Sequence, residues 1–194
     1  MPVVVALPVK SFSDAKGRLG GVLGRSGRSS VGRALADRTL DVVLDAGGEA
    51  LVVAGDDEVA AWARSHQVPV IGAPPGLDAA ARAALDWAGT RPCAVLHSDL
   101  PLLRSEDLGE PFAALASGRP VIAPSSDGGT SLLGGSRRFS YGPGSFHRHL
   151  AALRHEDPLV VVCAGLLLDL DGPADLAAAL RHPRGSWLSE VVAR

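Results

Sequence analysis

Short apolar runs rich in β-branched residues alternate along the chain with longer stretches of helical periodicity. The runs predict strands at residues 3–7, 50–54, 68–71, 93–97, 120–124, 158–163 and 166–171. The stretches between them predict one helix that begins near Ser29 or Ser30 and ends at Gly47, and others at residues 57–66, 77–89, 105–117, 145–155 and 174–181. Continuous apolar strands that alternate with helices are typical of a three-layer α/β fold, a mostly parallel sheet with helices on both faces.

Composition and charge narrow the range of functions. The 194 residues fit one α/β domain spanning residues 1–194, in which residues 183–194 form either a short helix or a loose tail. Hydrophobic residues make up 46 % of the chain, which is ample for one core. The formal net charge of −2 argues against a nucleic-acid-binding protein, because such proteins need a surplus of positive charge to displace counterions from phosphates.

Cysteine spacing and the lengths of the apolar runs bear on the compartment. Cys93 and Cys163 lie in apolar runs without CxxC spacing, which is typical of buried small side chains in a reducing compartment. The opening apolar run is too short for a signal peptide, and the run at residues 159–168 is too short to span a bilayer. We therefore expect a soluble cytoplasmic protein without a nucleic-acid or membrane partner, whereas the sequence leaves the oligomeric state open.

Basic residues are concentrated in the loop that follows the first predicted strand, LPVKSFSDAKGRL. Ligands of parallel α/β sheets bind beyond the carboxyl ends of the strands, and this loop places Lys10, Lys16 and Arg18 there. It contains neither GxxxxGK[ST] nor GxGxxG, which argues against common P-loop nucleotidases and dinucleotide-binding dehydrogenases. Two interpretations stay open: the three cations bind the phosphates of a nucleoside triphosphate, or they form a solvated basic loop.

Carboxylates follow or end two other predicted strands. Asp99 comes just after the fourth strand, in HSDLPLL, and Asp169 and Asp171 lie on the last strand, in LLLDLDGPADL. Alternate residues of a strand project from the same face, so the pair concentrates negative charge that a hard cation such as Mg²⁺ would offset. The alternatives are a turn-capping role for Asp99 and, for one of the pair, a role at the start of the helix that follows Gly172.

Glycines and hydroxyl groups mark two further loops. In SSDGGTSLLGG, two glycines precede Thr130 and permit close approach of a ligand to the backbone. In YGPGSFHRH, Gly142 and Ser145 come just before a predicted helix, whose first N–H groups favour an anion, although a plain N-cap is the alternative for Ser145. Three nearby histidines share no metal-ligating helical face, and we interpret them as surface or supporting residues: His147, His149 and His155.

Taken in order, these segments resemble one family. LPVKSFSDAKGRL, SDLPLL, DGGTSLL, YGPGSF and LDLDGPADL are similar to the motifs of the phosphoenolpyruvate and 2-phospho-L-lactate guanylyltransferases of coenzyme F420 biosynthesis. The resemblance runs from about Val3 to Leu176. It implies a GT-A-like nucleotidyltransferase fold and transfer of GMP from GTP to the phosphate of a three-carbon phospho-acid, with release of pyrophosphate. Which of the two acids is used stays open.

The resemblance also implies roles for individual residues. The family's contacts to the phospho-acid fall on Thr130, Gly142 and Ser145. Its Mg²⁺ ligands fall on Asp99 and on the pair Asp169 and Asp171. With the metal in place, three cations of the first loop would bind the β- and γ-phosphates that leave: Lys10, Lys16 and Arg18.

Two other functions are compatible with these residues. A GT-A-like sugar transferase, or another nucleotidyltransferase, would share the metal-binding Asp99, although aromatic residues, at 4 % of the chain, offer little for stacking on a sugar. A non-catalytic nucleotide-binding regulatory domain would keep its function after neutral replacement of Asp99 and Asp171. Candidate loops for contacts to the base are Ala54–Asp57 and Pro74–Asp78, neither of which carries a visible determinant for guanine.

Overall fold

A computed structural model describes residues 1–13 and 16–193. Asp14 and Ala15, in the basic loop, and Arg194, at the end of the terminal segment, lie outside the described residues. In the described part, the strands are β1 Val4–Val9, β2 Glu49–Ala54, β3 Val70–Gly72, β4 Cys93–Leu96, β5 Val121–Pro124, β6 Thr130–Gly134 and β7 Leu159–Val160. The α-helices there are α1 Arg25–Asp45, α2 Asp57–Ser65, α3 Leu77–Ala88, α4 Glu106–Ala116, α5 Ser145–Leu153, α6 Ala164–Leu167, α7 Pro173–Arg181 and α8 Leu188–Val192.

The strands form one sheet in the order β3-β2-β1-β4-β6-β5-β7. Neighbouring strands are parallel, except that β6 runs antiparallel to both β4 and β5. The parallel strands end at one edge of the sheet, and the reversed β6 begins at that same edge. Thr130, the first residue of β6, therefore lies beside the residues that follow β4 and β5. The predicted α/β fold with a mostly parallel sheet is confirmed.

Helices cover both faces of the sheet. On one face, α1, α2 and α4 bury large side chains, including Leu40, Trp62 and Phe112, against β1, β2 and β5. On the other face, α3 packs the short side chains of Ala81 and Ala84 against β1 and β2, which lets the helix lie close to the sheet. Burial of this apolar surface is the main stabilising contribution to the fold. None of the helices in the described residues is both long enough and apolar enough to cross a bilayer.

Two strand predictions are wrong. Residues 130–134, expected to be a loop, form β6, whose two buried faces leave no alternation of polar and apolar residues to reveal a strand. Residues 166–171, expected to be a strand, form the end of α6 and a segment that crosses the strand ends. The N–H of Leu170 donates to the carbonyl of Asp99 (2.9 Å), and the N–H of Ser126 donates to the carbonyl of Leu167 (2.7 Å). The backbone of this segment is thus bonded to loops instead of to a neighbouring strand.

Helix α1 begins earlier than predicted. The N–H of Arg28 donates to the carbonyl of Gly24 (3.0 Å), so the helix starts at Arg25 and not near Ser29 or Ser30. Its first turns contain glycine, serine and arginine and bury no apolar side chain before Val31. Hydrophobic periodicity therefore reveals the helix only from that residue onward.

Three smaller expectations are also resolved. Of the predicted strand 158–163, Leu159–Val160 forms β7, and the N–H of Val161 adds one more bond to β5, at the carbonyl of Ile122 (2.9 Å). The terminal segment contains α8, whose buried Leu188 joins an apolar cluster with α1 and α7, as the helical alternative predicts. Cys93 and Cys163, expected to be buried, are free thiols of intermediate exposure.

A close backbone contact fixes the start of the basic loop. The N–H of Gly55, just after β2, donates to the carbonyl of Val9 (2.8 Å). A Cβ atom at Gly55 would overlap the carbonyl oxygen of Lys10, so only glycine permits this approach. The contact holds the backbone of Lys10 at the carboxyl end of β1.

Candidate active site

A cleft of about 880 Å³ opens at the edge of the sheet where the parallel strands end. The residues that the sequence predicts to bind substrate or metal all line it: Lys10, Lys16, Arg18, Asp99, Thr130, Gly142, Ser145, Asp169 and Asp171. They come from segments that are far apart in the chain, and the strand order brings those segments together. The structure therefore places the predicted residues in one cleft, and their individual roles stay predictions.

Lys16 lies at the centre of the acidic part of the cleft. Its Nζ is 2.6 Å from Oδ2 of Asp99 and 3.5 Å from Oδ1 of Asp171, and its side chain is only 10 % exposed. Burial acts to raise the pKa of Asp99, but the charge of Lys16, the charge of His97 and hydrogen bonds to the carboxylate together hold that pKa below its usual value. Lys16 also has a left-handed backbone, with φ of +55°, which is costly for a residue other than glycine.

The other two basic residues are more accessible. Arg18 approaches Oδ2 of Asp171 to 3.9 Å through Nη1, but its side chain is 82 % exposed. Lys10 is exposed where it lines the cleft. Both side chains have room to move toward an anionic ligand, whereas Lys16 is already held by carboxylates.

Asp169 is surrounded by negative charge. Its side chain accepts a hydrogen bond from the hydroxyl of Ser126 (3.3 Å), and the residue is 8 % exposed. Burial, and then the charges of Asp99, Asp127 and Asp171, raise the pKa of Asp169 to about 6. Burial and the three neighbouring carboxylates therefore both disfavour a negative charge on Asp169.

The carboxylates suit a divalent cation chemically. No three acidic, histidine or cysteine side chains in the described part of the chain are arranged to hold a metal ion. Lys16 bridges Asp99 and Asp171 and supplies the positive charge between them. Carboxylate oxygens are the ligands that Mg²⁺ prefers, and burial together with neighbouring carboxylates raises the pKa of Asp169, so a cation beside it would be favourable. The donor set thus fits Mg²⁺ once Lys16 leaves this position.

The crowding of Asp169 leads to a prediction about stability in the absence of metal. Because its pKa is higher in the folded protein than in the unfolded chain, Asp169 favours the folded state below its ordinary pKa, and this contribution is lost as the pH rises through about 6. Asp169→Asn removes the charge and should stabilise the protein by about 2 kcal/mol at about pH 8, with little gain at about pH 4.5. Thermal unfolding in the presence of a chelator measures both values.

An exposed carboxylate serves as the control for this experiment. Asp86→Asn makes the same charge change on the exposed part of α3. It should leave unchanged the difference between the free energies of unfolding at the two pH values. A gain from Asp169→Asn that is equal at both pH values would contradict the account of charge crowding.

Two hydroxyl groups form a different part of the cleft. Oγ1 of Thr130 and Oγ of Ser145 are 3.1 Å apart, and each residue is 1 % exposed. Nδ1 of His149 lies 2.9 Å from Oγ1 of Thr130, and Nε2 accepts from the N–H of Ser140 at 2.9 Å. Ser145 begins α5 and His149 follows one turn later on the same helical face. One helix thus carries a hydroxyl group and the imidazole that supports it.

The start of α5 does not offer all of the backbone groups that the sequence predicts. The N–H of Ser145 donates to the carbonyl of Gly142 (3.0 Å), and that of Phe146 donates to the carbonyl of Gly128 (3.3 Å). Those two amides are used by the protein, so the hydroxyls of Thr130 and Ser145 become the principal candidates for ligand contacts. Gly142 has φ of +122°, a conformation that glycine allows in this turn.

Of the two loops considered for contacts to the base, the second reaches the cleft. Leu77 lines the cleft, whereas none of residues 54–57, all of them described, does so. The next residue, Asp78, accepts a hydrogen bond through Oδ1 from the N–H of Tyr141 (2.8 Å). This bond joins the start of α3 to the segment that leads into Gly142.

Sequence reasoning missed several residues of the cleft. Nε2 of His97 is buried and has no hydrogen-bond partner in the described part of the chain, and burial lowers the pKa of its imidazole. Oδ1 of Asp127 accepts from Oγ of Ser125 and from the N–H of Gly129, and the serine contact is the main cause of its lowered pKa. His97 and Asp127 lie within the motifs HSDLPLL and SSDGGTSLL, so their positions at strand ends were available as a signal.

Comparison with known proteins assigns the chain to a family. A family model described as "Guanylyl transferase CofC like" matches residues 3–192. This chain belongs to the CofC-like guanylyl transferases. A phosphoenolpyruvate guanylyltransferase from Rubrobacter xylanophilus is 32 % identical, and the alignment covers 91 % of this chain and 93 % of the relative's length. A 3-phospho-D-glycerate guanylyltransferase from Phenylobacterium zucineum is 31 % identical, and the alignment covers 96 % of this chain and 93 % of that relative's length.

Solved structures agree on the fold. A nucleotide-diphospho-sugar transferase from Desulfovibrio desulfuricans has a TM-score of 0.75 at 19 % identity and covers 100 % of this chain and 96 % of its own. Rv0371c from Mycobacterium tuberculosis, solved as a complex with manganese, has a TM-score of 0.56 at 18 % identity. The superposition covers 92 % of this chain and 97 % of Rv0371c. The chain therefore has the expected nucleotidyltransferase fold. Its family and its relatives at 32 % and 31 % identity show that it is an enzyme, which argues against the non-catalytic regulatory alternative.

Proposed function

We propose that residues 1–194 act as one catalytic domain that transfers GMP from GTP to the phosphate of phosphoenolpyruvate or 2-phospho-L-lactate. The reaction releases pyrophosphate, uses Mg²⁺ and belongs to coenzyme F420 biosynthesis. One observation carries the proposal: the cleft combines a cluster of carboxylates bridged by Lys16 with a separate pair of hydroxyls at Thr130 and Ser145. The first part suits a metal–triphosphate and the second suits a small anionic acceptor.

The basic residues would neutralise the departing pyrophosphate. Lys10 and Arg18 are exposed at the cleft and can reach the β- and γ-phosphates, and Lys16 would exchange its carboxylate partners for phosphate oxygens. Charge-assisted contacts of this kind stabilise negative charge that develops on the leaving group. Bringing two polyanions together needs this neutralisation more than it needs a protein nucleophile.

Three carboxylates would hold the metal: Asp99, Asp169 and Asp171. The manganese complex of the structural neighbour Rv0371c supports the use of a divalent cation in this fold, and the oxygen donors here favour Mg²⁺. When bound, Mg²⁺ supplies Lewis-acid charge to the phosphate oxygens. The carboxylates would hold it near the end of β4 and the crossing segment.

The acceptor would bind at Thr130, Gly142 and Ser145. Two hydroxyl donors beside a glycine turn suit a phosphate or carboxylate group, and an acceptor phosphate is already ionised at neutral pH. No general base is therefore required for its attack on the α-phosphorus. Relatives named for phosphoenolpyruvate and for 3-phospho-D-glycerate support an acceptor of this size.

Pyrophosphate release from defined substrate pairs tests the proposal. Purified protein is incubated with Mg²⁺, with GTP or ATP, and with phosphoenolpyruvate, 2-phospho-L-lactate or 3-phospho-D-glycerate. We expect release with GTP and one of the first two acids. No release with any pair would overturn the proposal. Release with ATP but not with GTP would show that the transferred group is not GMP, and release with 3-phospho-D-glycerate alone would show that this acid is the acceptor.

A further inference from the structure

The imidazole of His149 lies behind the hydroxyl pair and is held from both sides. Nε2 lies 2.9 Å from the backbone nitrogen of Ser140, and Nδ1 lies 2.9 Å from Oγ1 of Thr130. The residue is 1 % exposed, and its ring packs against that of Tyr141 in a T-shaped arrangement with the ring centroids 4.8 Å apart. His149 is absent from the lining of the cleft, whereas Thr130 and Ser145 form part of it. Any influence of His149 on a ligand must therefore pass through these hydroxyls.

The contact with Ser140 determines which nitrogen of the imidazole carries the proton. A backbone N–H can only donate, so Nε2 must accept and must be unprotonated. A neutral imidazole then carries its proton on Nδ1, which donates to Oγ1 of Thr130. Burial lowers the pKa of His149, and the charge of Arg148 acts in the same direction while that of Asp78 opposes it, so the neutral form is favoured.

The proton on Nδ1 constrains the hydroxyl groups in turn. Because Oγ1 of Thr130 already accepts from His149, its own proton must point elsewhere, either to Oγ of Ser145 at 3.1 Å or into the cleft. If it points to Ser145, the hydroxyl proton of Ser145 is the one left for a ligand. In both arrangements the chain of hydrogen bonds ends in an O–H donor at the cleft, which suits an anionic oxygen.

We propose that His149 is a positioning residue for the acceptor: its Nδ1–H orients the hydroxyls of Thr130 and Ser145 so that they donate to the phospho-acid. This inference rests on the proposed function, since it assigns the hydroxyl pair to the acceptor. It assigns no contact between His149 and either substrate. The proposal gives His149 no role in binding GTP.

Two substitutions separate the donor role of His149 from its role in packing. His149→Asn keeps a nitrogen donor near the position of Nδ1 and loses the acceptor for Ser140. His149→Gln keeps an acceptor near the position of Nε2 and loses the donor to Thr130. We expect His149→Gln to raise the KM for the phospho-acid about tenfold, with KM for GTP within about twofold, whereas His149→Asn should stay within about threefold of the wild type.

A double-mutant cycle tests whether the effect passes through Thr130. Thr130→Val removes the hydroxyl that His149 orients, so adding His149→Gln to Thr130→Val should change the acceptor KM by less than about twofold. His147→Gln, an exposed histidine on the same helix, is the matched control and should leave all constants unchanged. Thermal unfolding of each variant shows whether it is folded at the assay temperature.

An NMR measurement reads the proton position without reference to activity. The ¹⁵N shifts of His149 in labelled wild-type protein should report the Nδ1–H form at neutral pH. An Nε2–H form would overturn the inference, as would a His149→Gln variant whose KM for the phospho-acid is unchanged. It is also overturned if His149→Asn raises that KM as much as His149→Gln does, or if His149→Gln still raises it about tenfold in the Thr130→Val background. A wild type that releases no pyrophosphate with any acid overturns the proposed function and this inference together.

Discussion

Replacing Asp99 with asparagine is expected to abolish guanylyl transfer while leaving the protein folded. The substitution removes the carboxylate that pairs with Lys16 at 2.6 Å and that we assign to the metal. We expect kcat/KM to fall by about a thousandfold or more, the range for loss of a principal electrostatic contact at a reacting centre. The bond from the N–H of Leu170 to the backbone carbonyl of Asp99 (2.9 Å) does not depend on the side chain, so the loop should keep its position. Initial rates of pyrophosphate release over a range of Mg²⁺ concentrations measure the effect.

The same charge change at an exposed site is the control for Asp99. Asp86→Asn should retain full activity, because the residue lies on the exposed part of α3. Circular dichroism and thermal unfolding separate loss of activity from loss of structure. A folded Asp99→Asn enzyme within about tenfold of wild-type kcat/KM would contradict the assignment of this carboxylate.

Replacing Lys16 with methionine should separate nucleotide use from metal binding. Lys16→Met removes the ammonium that bridges Asp99 and Asp171, and with it a proposed contact to the departing phosphates. We expect kcat/KM for GTP to fall by about a hundredfold or more. Because the ammonium no longer competes for the carboxylates, the affinity for Mn²⁺ in the absence of nucleotide should stay equal or increase. Electron paramagnetic resonance of free Mn²⁺ during titration measures that affinity.

An exposed basic residue provides the comparison for Lys16. Arg82→Met removes one positive charge from the exposed face of α3 and should change neither the rate nor Mn²⁺ binding. Loss of Mn²⁺ binding in a folded Lys16→Met protein would mean that this lysine supports the metal site instead of competing for it. Unchanged turnover of GTP would remove Lys16 from the nucleotide site.

The location of the cleft could be predicted from the sequence because strand ends are local features. The apolar runs mark where β1 and β4 end, and in a parallel sheet those ends meet at one edge. Lys10 and Asp99 follow directly from this rule. Their partners across the cleft depend on strand order, which hydrophobic periodicity does not encode.

The sequence predicts correctly that Asp169 and Asp171 reach the cleft, but it assigns the wrong secondary structure to the crossing segment that carries them. The sequence predicts that Asp169 and Asp171 share a face because they alternate on a strand, but none of the strands in the described residues pairs with this segment. Leu170 between them is buried in an apolar cluster, whereas its two neighbours line the cleft. Burial of one leucine, instead of sheet pairing, orients both carboxylates.

The support behind the hydroxyl pair could not be predicted in the same way. Ser145 and His149 are one helical turn apart, a spacing that places them on one face. The resemblance brings Thr130 and Ser145 to the same ligand, but neither it nor the hydrophobic periodicity indicates that His149 contacts Thr130. That contact arises because β6 is reversed and begins at the edge where the other strands end. Because the sequence does not reveal β6 as a strand, it does not reveal the contact between Thr130 and His149 either.

Phosphorus NMR of the reaction mixture tests the central claim most directly. Wild-type protein with GTP, Mg²⁺ and phosphoenolpyruvate or 2-phospho-L-lactate should give two coupled signals of a new diphosphate that links guanosine to the acid, together with pyrophosphate. The Asp99→Asn protein should give neither. Formation of GDP and inorganic phosphate, or unchanged spectra with both acids, would contradict guanylyl transfer at this cleft.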